Sequence, residues 1–392
     1  MSNSIKHILL FCSQYPTKKD PVFTFVEQLV CAFAAKGVKV TVIAQQSLTK
    51  HFLRNSPLHP IYREIKKEGS AQIEIFQPYS ITFGSHFPLL NRFFSYLAAK
   101  WALHKVKDMP QVCYGHFWRF GYDLYGYAKK HRIPLFVASG ESEIRCHVPP
   151  QKMSDFSNYC KGVICVSTKN KLESIRLGLT TSEKCCILPN AIDSRMFNKK
   201  DKFMLRQQYG YPKEAFIVAF VGFFINRKGP QRVAAAIKKI NNPNVKSFFI
   251  GKPLDSECVD PSCNGILYKG VVAHEKLADF LNMADVFVLP TLAEGCCNAI
   301  IEAMACGLPI ISSNRDFNDD ILDKSYSIRV NPESINEIAD AINKLIDNPE
   351  LYKEMSFAAQ SKASKMTIEN RVKEILNFME ERTGENNGAE TA

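Results

Sequence analysis

Apolar positions along this chain follow two alternating patterns. In short β-branched runs nearly every residue is apolar, whereas in longer stretches apolar residues recur at every third or fourth position. The first pattern reads as buried strand and the second as amphipathic helix. Residues 8–12 form a first strand and 13–21 a polar loop. Phe25, Leu29, Ala32 and Phe33 then mark one helical face that stops at Lys36-Gly37, and 38–44 is the next strand. The alternation resumes with 111–118, a strand ending in a turn, a helix over 122–131, and strands over 135–139 and 163–167. Beyond a charged connector at 199–211, strands over 216–221, 245–250, 266–268 and 286–289 alternate with helices over 230–240 and 273–283. Helices over 334–346, 349–362 and 368–381 complete the chain.

Repeated β-α-β order on both sides of the connector predicts an α/β protein with parallel sheets in two domains, 1–195 and 196–366. The helix over 367–383 follows, and the polar tail 384–392 is expected to be disordered. One segment fits the pattern awkwardly. Over 86–107, Leu90, Phe93, Phe94, Leu97 and Trp101 share a helical face, with Arg92, Lys100, Lys105 and Lys107 elsewhere. That periodicity predicts a helix laying its aromatic face on the sheet; the alternative is contact with an anionic membrane.

Candidate chemistry concentrates where strands give way to helices. The strand 286–289 breaks at Pro290, passes through a polar turn and becomes an apolar helix ended by Gly307 and Pro309. Glu294 stands in that turn and Glu302 is expected in the first helical turn. No core needs a carboxylate at either place, and helix N-termini at strand ends collect anionic ligands. A second such junction, 222–230, carries Arg227 and Lys228 between Gly222 and Gly229-Pro230. Its amides, helix dipole and lysine could neutralise a diphosphate.

The sequence Glu294-x7-Glu302 followed by Ala303-Met304-Ala305-Cys306-Gly307-Leu308-Pro309 closely resembles the signature of retaining glycosyltransferases of group 1 (family 4), which have the GT-B fold. The resemblance implies two Rossmann-like domains facing across a cleft, with the last helix crossing back to the first. It also implies transfer of a sugar from a nucleotide diphosphate donor, expected to be UDP-linked, to a glycan or lipid-linked acceptor in cell-surface polysaccharide synthesis. On that reading Lys228, Arg227 and the amides of Cys297, Asn298 and Ala299 hold the leaving diphosphate. Glu302 takes the ribose hydroxyls. Glu294 holds the sugar or stabilises the anomeric charge, with Gly295 and Cys296 beside it. Gly222 borders the phosphates, and the backbone around Gly270 and Val271 reads the nucleobase edge. His116 sits where the family commonly has a histidine near the donor sugar, and Glu141 and Glu143 are candidates for the acceptor. Three positions depart from the family pattern: Phe223 replaces an arginine, Val22 and Phe23 replace glycines, and Ala191 replaces the glycine of a Pro-Asn-Gly-Val-Asp passage.

Composition narrows the alternatives. The chain has 392 residues, 46% of them apolar, enough for two cores. Its apolar runs are too short to span a bilayer and no signal peptide is visible, so a cytoplasmic or peripheral location is expected. Residues 1–195 carry 26 Lys and Arg against 13 Asp and Glu, and residues 196–392 carry 24 against 26. The excess positive charge therefore lies in the first half, which suits an anionic membrane surface or a phosphate-linked acceptor. No recognised nucleic-acid motif accompanies it, so nucleic acid is not an expected partner. The thirteen cysteines include adjacent pairs and singles within apolar runs, which suits reduced thiols better than disulfides or zinc. No Asp-x-Asp motif stands at a strand end, and Asp319-Asp320 lies in the wrong context. Metal-independent activity without a cofactor is expected. Two alternative readings are a GT-B nucleotide-sugar epimerase or phosphorylase, and a non-catalytic basic protein binding membrane or nucleic acid.

Overall fold

The computed structural model describes residues 4–17, 23–83, 87–146, 148–254 and 257–384. Val22, part of the loop after the first strand, His86 and residues 385–392 of the expected tail lie outside these. The chain forms two compact units: one comprises residues up to Val166, Asn170–Leu188 and those from Arg371 onward, and the other Ser167–Lys169 and Pro189–Asn370.

In chain order the first unit contains β1 (His7–Cys12), α1 (Thr24–Ala35), β2 (Lys39–Ala44), β3 (Gln46–Ser47), α2 (Leu48–Arg54), β4 (Tyr62–Ile65), β5 (Ile73–Phe76) and β6 (Tyr79–Ser80). It continues with α3 (Pro88–Lys105), β7 (Val112–His116), α4 (Trp118–His131), β8 (Leu135–Ser139), α5 (Pro150–Tyr159), β9 (Cys160–Cys165), α6 (Thr168–Arg176) and β10 (Cys185–Ile187). Its main sheet runs β10-β9-β8-β7-β1-β2-β5-β4, parallel except for the antiparallel edge strand β4. Strands covered on both faces need continuous apolar sequence, and every residue of β1, β7 and β8 is buried.

The order reverses at β1, which pairs with β2 on one side and β7 on the other. That switch point is where open α/β sheets present ligand sites. Gly115 lies within β7. A Cβ there would lie 2.2 Å from the backbone nitrogen of Gly121, so the glycine lets α4 press against the strand. The start of α4 is thereby held beside His116.

The helix α3 departs from its expected orientation. Ser95, Ala98, Ala99 and Ala102 face inward, whereas Leu90, Phe93, Tyr96, Leu97 and Trp101 are exposed. The aromatic side chains are too bulky for the close approach that small residues permit. Gln45, between β2 and β3, holds this helix: its amide donates to the Ser95 carbonyl and its carbonyl accepts from the Ser95 hydroxyl.

The second unit contains α7 (Lys202–Tyr209), β11 (Phe216–Val221), α8 (Pro230–Ile240), β12 (Val245–Ile250), β13 (Ile266–Gly270), α9 (His274–Met283) and β14 (Val286–Leu289). Then come α10 (Asn298–Ala305), β15 (Ile310–Ser313), β16 (Ser327–Val330), α11 (Ile335–Asp347) and α12 (Pro349–Ala363). Its sheet, β13-β12-β11-β14-β15-β16, is parallel throughout, with its own switch point between β11 and β14. Val218, Phe220, Val286, Ile300, Ile301 and Ile310 are among the fully buried residues of its core. Each such side chain contributes about 1.5–3 kcal/mol on leaving water.

A buried ion pair supports the switch point from below. Arg206 of α7 donates to Asp285 at 2.6 Å and to the carbonyls of Met283, Lys213 and Ala215, each at 2.8 Å. Asp285 also accepts from the Ile217 amide at 2.7 Å and from Lys202 at 2.6 Å. The cluster joins the starts of β11 and β14. Finally α13 (Ile368–Gly384) belongs, from Arg371, to the first unit. Phe378 lies 6.1 Å from the Phe136 ring, and Glu380 accepts from the Ile5 amide. Gly384, the first residue of the expected tail, ends this helix.

Candidate active site

Two strand-to-helix loops meet at the C-terminal ends of β11 and β14. The first, 222–229, ends in Gly229, whose φ of +79° favours glycine and caps α8. The second, 290–297, leads into α10. They are stitched together by Leu292, whose amide donates to the Arg227 carbonyl at 2.8 Å, and by the Arg227 guanidinium, which donates to the Ala293 carbonyl. Arg232, on the first turn of α8, reaches both: it donates to the Pro290 carbonyl at 2.9 Å and to Asn226 at 3.0 Å.

This stitching brings Glu294, Lys228 and Arg227 together. Lys228 Nζ lies 2.5 Å from Glu294 Oε1, Arg227 Nη1 lies 3.1 Å from the same oxygen, and the Thr291 hydroxyl donates to it at 2.9 Å. Burial works against the Lys228 charge, but the Glu294 carboxylate bonded to it outweighs that and holds the lysine above its usual range. Two cations therefore converge on one largely buried carboxylate oxygen. Such a cluster can exchange that oxygen for those of an incoming anion.

The start of α10 adjoins this cluster. Cys297 is its N-cap, and no side chain caps the helix, so its first amides carry the positive end of the dipole uncapped. Cys297 itself is buried, which raises its thiol to about 11. Cys296 and Asn298 are anchored by a residue that the sequence pattern had marked only as part of an interdomain passage. The Asn190 amide donates to the Cys296 carbonyl at 3.1 Å and to Asn298 Oδ1 at 2.7 Å. Gly295 is buried beside Glu294, and Ala299 is half-buried in the first turn.

Glu302, expected in the first turn, stands in the second, because α10 starts at Asn298. Its Oε1 lies 3.9 Å from Nε2 of His274, the first residue of α9, and the nearby Glu302 carboxylate raises the imidazole's pKa against the effect of burial. Sequence reasoning gave no role to His274, Thr291, Asn190 or Arg232. Their polar type was legible, but the partners of His274, Asn190 and Arg232 include residues distant in sequence.

Gly222 ends the run after β11, where its amide donates to Ile250 at 3.0 Å, and Phe223 next to it is exposed. Gly270 closes the edge strand β13. Its carbonyl already accepts from Gly251 and that of Val271 from the Tyr268 hydroxyl, both at 2.8 Å, while the Val271 side chain is exposed.

His116, Glu141 and Glu143 belong to the first unit. His116 is buried among the rings of Phe25, Tyr114 and Phe117, 4.8 to 6.2 Å away, and its Nδ1 has no hydrogen-bond partner. Burial, helped by the Arg371 charge, lowers its pKa to about 3, so the ring is neutral. Glu141, a candidate for the acceptor, is turned inward: it accepts from the Trp118 amide at 2.8 Å and the Gly140 amide at 2.9 Å, capping α4 from a distant loop. Burial raises it to about 7 despite those donors. Glu143 is exposed and paired with Arg145 at 2.6 Å. Among the described residues no three His, Cys, Asp or Glu side chains cluster as metal ligands, and all thirteen cysteines are thiols. None of the helices searched is long and apolar enough to cross a membrane.

Residues 201–362 match the family model of glycosyl transferases group 1, and the chain has the GT-B fold of its structural neighbours. TuaC of Bacillus subtilis, named as a teichuronic acid biosynthesis glycosyltransferase, is 24% identical over 86% of this chain and 88% of its own length. Sucrose-phosphate synthase from Thermosynechococcus elongatus shares the fold at a TM-score of 0.75 and 16% identity, covering 97% of this chain and 99% of that one. Anabaena HepE, solved in complex with UDP, does so at 0.70 and 16%, over 96% and 99% of the two chains.

Proposed function

We propose that this protein is a retaining, metal-independent hexosyltransferase that moves a sugar from a UDP-linked donor to a glycan or lipid-linked acceptor in cell-surface polysaccharide synthesis. The observation that carries this reading is the convergence of Lys228 and Arg227 on Glu294 beside the uncapped start of α10. As the glycosidic bond breaks, negative charge grows on the departing diphosphate, and cations and amides already in position stabilise it most effectively. Lys228 and Arg227 turn from Glu294 to the phosphates, joined by the amides of Cys297, Asn298 and Ala299. Glu294, released from its cations, accepts hydrogen bonds from sugar hydroxyls or balances the positive anomeric carbon. Glu302 accepts the ribose diol, for which a carboxylate with two oxygens is suited, and His274 orients it. The UDP bound by HepE and the teichuronic acid biosynthesis in the name of TuaC support the nucleotide and the pathway type. His116 is assigned to the sugar by its family position, and its neutral ring suits a hydrogen bond rather than a charge.

Calorimetry with UDP, followed by release of UDP from a panel of UDP-sugars with and without acceptor, tests the reading. Binding of UDP and acceptor-dependent release, unchanged in EDTA, are expected. Turnover without acceptor or only with free phosphate would indicate an epimerase or phosphorylase, and absence of nucleotide binding would refute the assignment. Loss of activity in EDTA, restored by magnesium or manganese, would overturn metal independence.

A further inference from the structure

Beyond the transfer reaction, we propose that the α2–α3 face of the first unit docks on the surface of an anionic lipid bilayer. The starting observation is that α3 is amphipathic in reverse. It gives the protein interior its small residues, Ser95, Ala98, Ala99 and Ala102, each 7% exposed or less. It gives the outside Leu90, Phe93, Tyr96, Leu97 and Trp101, each 43–57% exposed. A helix serving only its own domain would bury the larger residues, since they carry most of the apolar area.

The face extends onto α2, where Phe52 and Leu53 are 76% and 78% exposed. The two helices are tied into one surface. Ser47 and Thr82 hydroxyls lie 2.7 Å apart, and the Thr82 amide donates to Thr49 at 3.0 Å. The Phe83 amide donates to Asn91 at 2.5 Å, and its ring lies 5.6 Å from that of Phe94. An apolar surface of this extent marks an interaction site.

Charge selects the occupant. Residues 45–63 and 78–107 contain no Asp or Glu, and Lys50, Lys100 and Lys105 are exposed. An aromatic face bordered by lysines complements anionic headgroups above an apolar layer. A second copy of the same face would bring like charges together. At 18 residues, α3 is about 27 Å long and would lie along the interface rather than cross it.

The test is flotation of the full chain with vesicles of phosphatidylcholine alone and of phosphatidylcholine mixed with phosphatidylglycerol. Recovery on the mixed vesicles, lost at high salt, and little recovery on phosphatidylcholine are expected. Lys100→Glu/Lys105→Glu should weaken partition at least about twenty-fivefold, taking about fivefold per lysine, and Phe93→Ser/Trp101→Ser should abolish it. All four positions are exposed, so folding is retained, and unchanged UDP affinity in both variants separates this surface from the donor site. Equal recovery on neutral and anionic vesicles, no recovery, or undiminished recovery of both variants would overturn the proposal. So would a dimer in solution that Phe93→Ser/Trp101→Ser splits without any vesicle binding by the parent.

Discussion

Removing Glu294 and removing Lys228 should have unequal consequences, because the two members of the pair have different remaining partners. Lys228→Met leaves the Glu294 oxygen with the Arg227 guanidinium at 3.1 Å and the Thr291 hydroxyl at 2.9 Å. The loss is then one charge-assisted hydrogen bond, about 1.5 kcal/mol. Glu294→Ala instead leaves the cations of Lys228 and Arg227 facing each other, with the Lys228 side chain only 12% exposed. Uncompensated burial of a charge costs about 3 kcal/mol or more. For a unit of this size each kcal/mol moves Tm by about 2–4 °C, so the shifts should be near 3–6 °C for Lys228→Met and 6–12 °C for Glu294→Ala. UDP then discriminates further. In the Glu294→Ala protein a diphosphate supplies the missing anion, so saturating UDP should raise Tm by more than in the parent. In Lys228→Met it should raise Tm by less, and turnover should fall at least about a hundredfold. Thermal denaturation with and without UDP reads all of these. Equal destabilisation by the two substitutions, or equal UDP increments in Glu294→Ala and the parent, would refute the reasoning.

Three further outcomes are expected. His274 has its pKa raised by Glu302, so the pair's stabilisation is full below the unfolded value of about 6.5 and is lost as pH rises through the higher folded value. Urea titrations across that window should show a step that His274→Gln removes. His116 behaves oppositely: its folded pKa of about 3 means that stability falls as pH drops from about 6.5 toward 3, because only the unfolded chain takes up the proton. His116→Phe, which orphans nothing at the unpartnered Nδ1, should flatten that acid limb. Asp285→Ala should cost about 3–5 kcal/mol in urea unfolding by stranding Arg206, whose side chain is 1% exposed.

Much of the fold is legible in the sequence because parallel strands covered on both faces must be apolar throughout, and 216–221 or 286–289 admit no other reading. Elements between β2 and α3 were not legible for the opposite reason: the two-residue strands β3 and β6 and the seven-residue α2 are too short to establish a period. For α3 the periodicity correctly gave a helix but the wrong inward face, since sequence records which side chains are apolar and not what covers them. At the site, Glu294 and Lys228 were marked by their position at strand ends. Their convergence on one oxygen depends on Leu292 and Arg232, whose partners lie more than fifty residues away. Glu141 shows the same limit: a loop carboxylate suggested a ligand, and a helix start distant in sequence claimed it instead.

The anchoring of the loop before α10 by Asn190 bears on how this protein can be cut and recombined. The family match begins at Asp201, which invites that position as a junction for grafting the second half of one member onto the first half of another. Yet Asn190 braces Cys296 and Asn298, and Ile192 exchanges backbone hydrogen bonds with Met366 and Ile368 at 3.0 and 2.9 Å. A chimera joined at Asp201 would import a foreign brace for the loop that leads into α10. One joined before Pro189, with the return junction after Asn370, would carry the brace with the loop it supports.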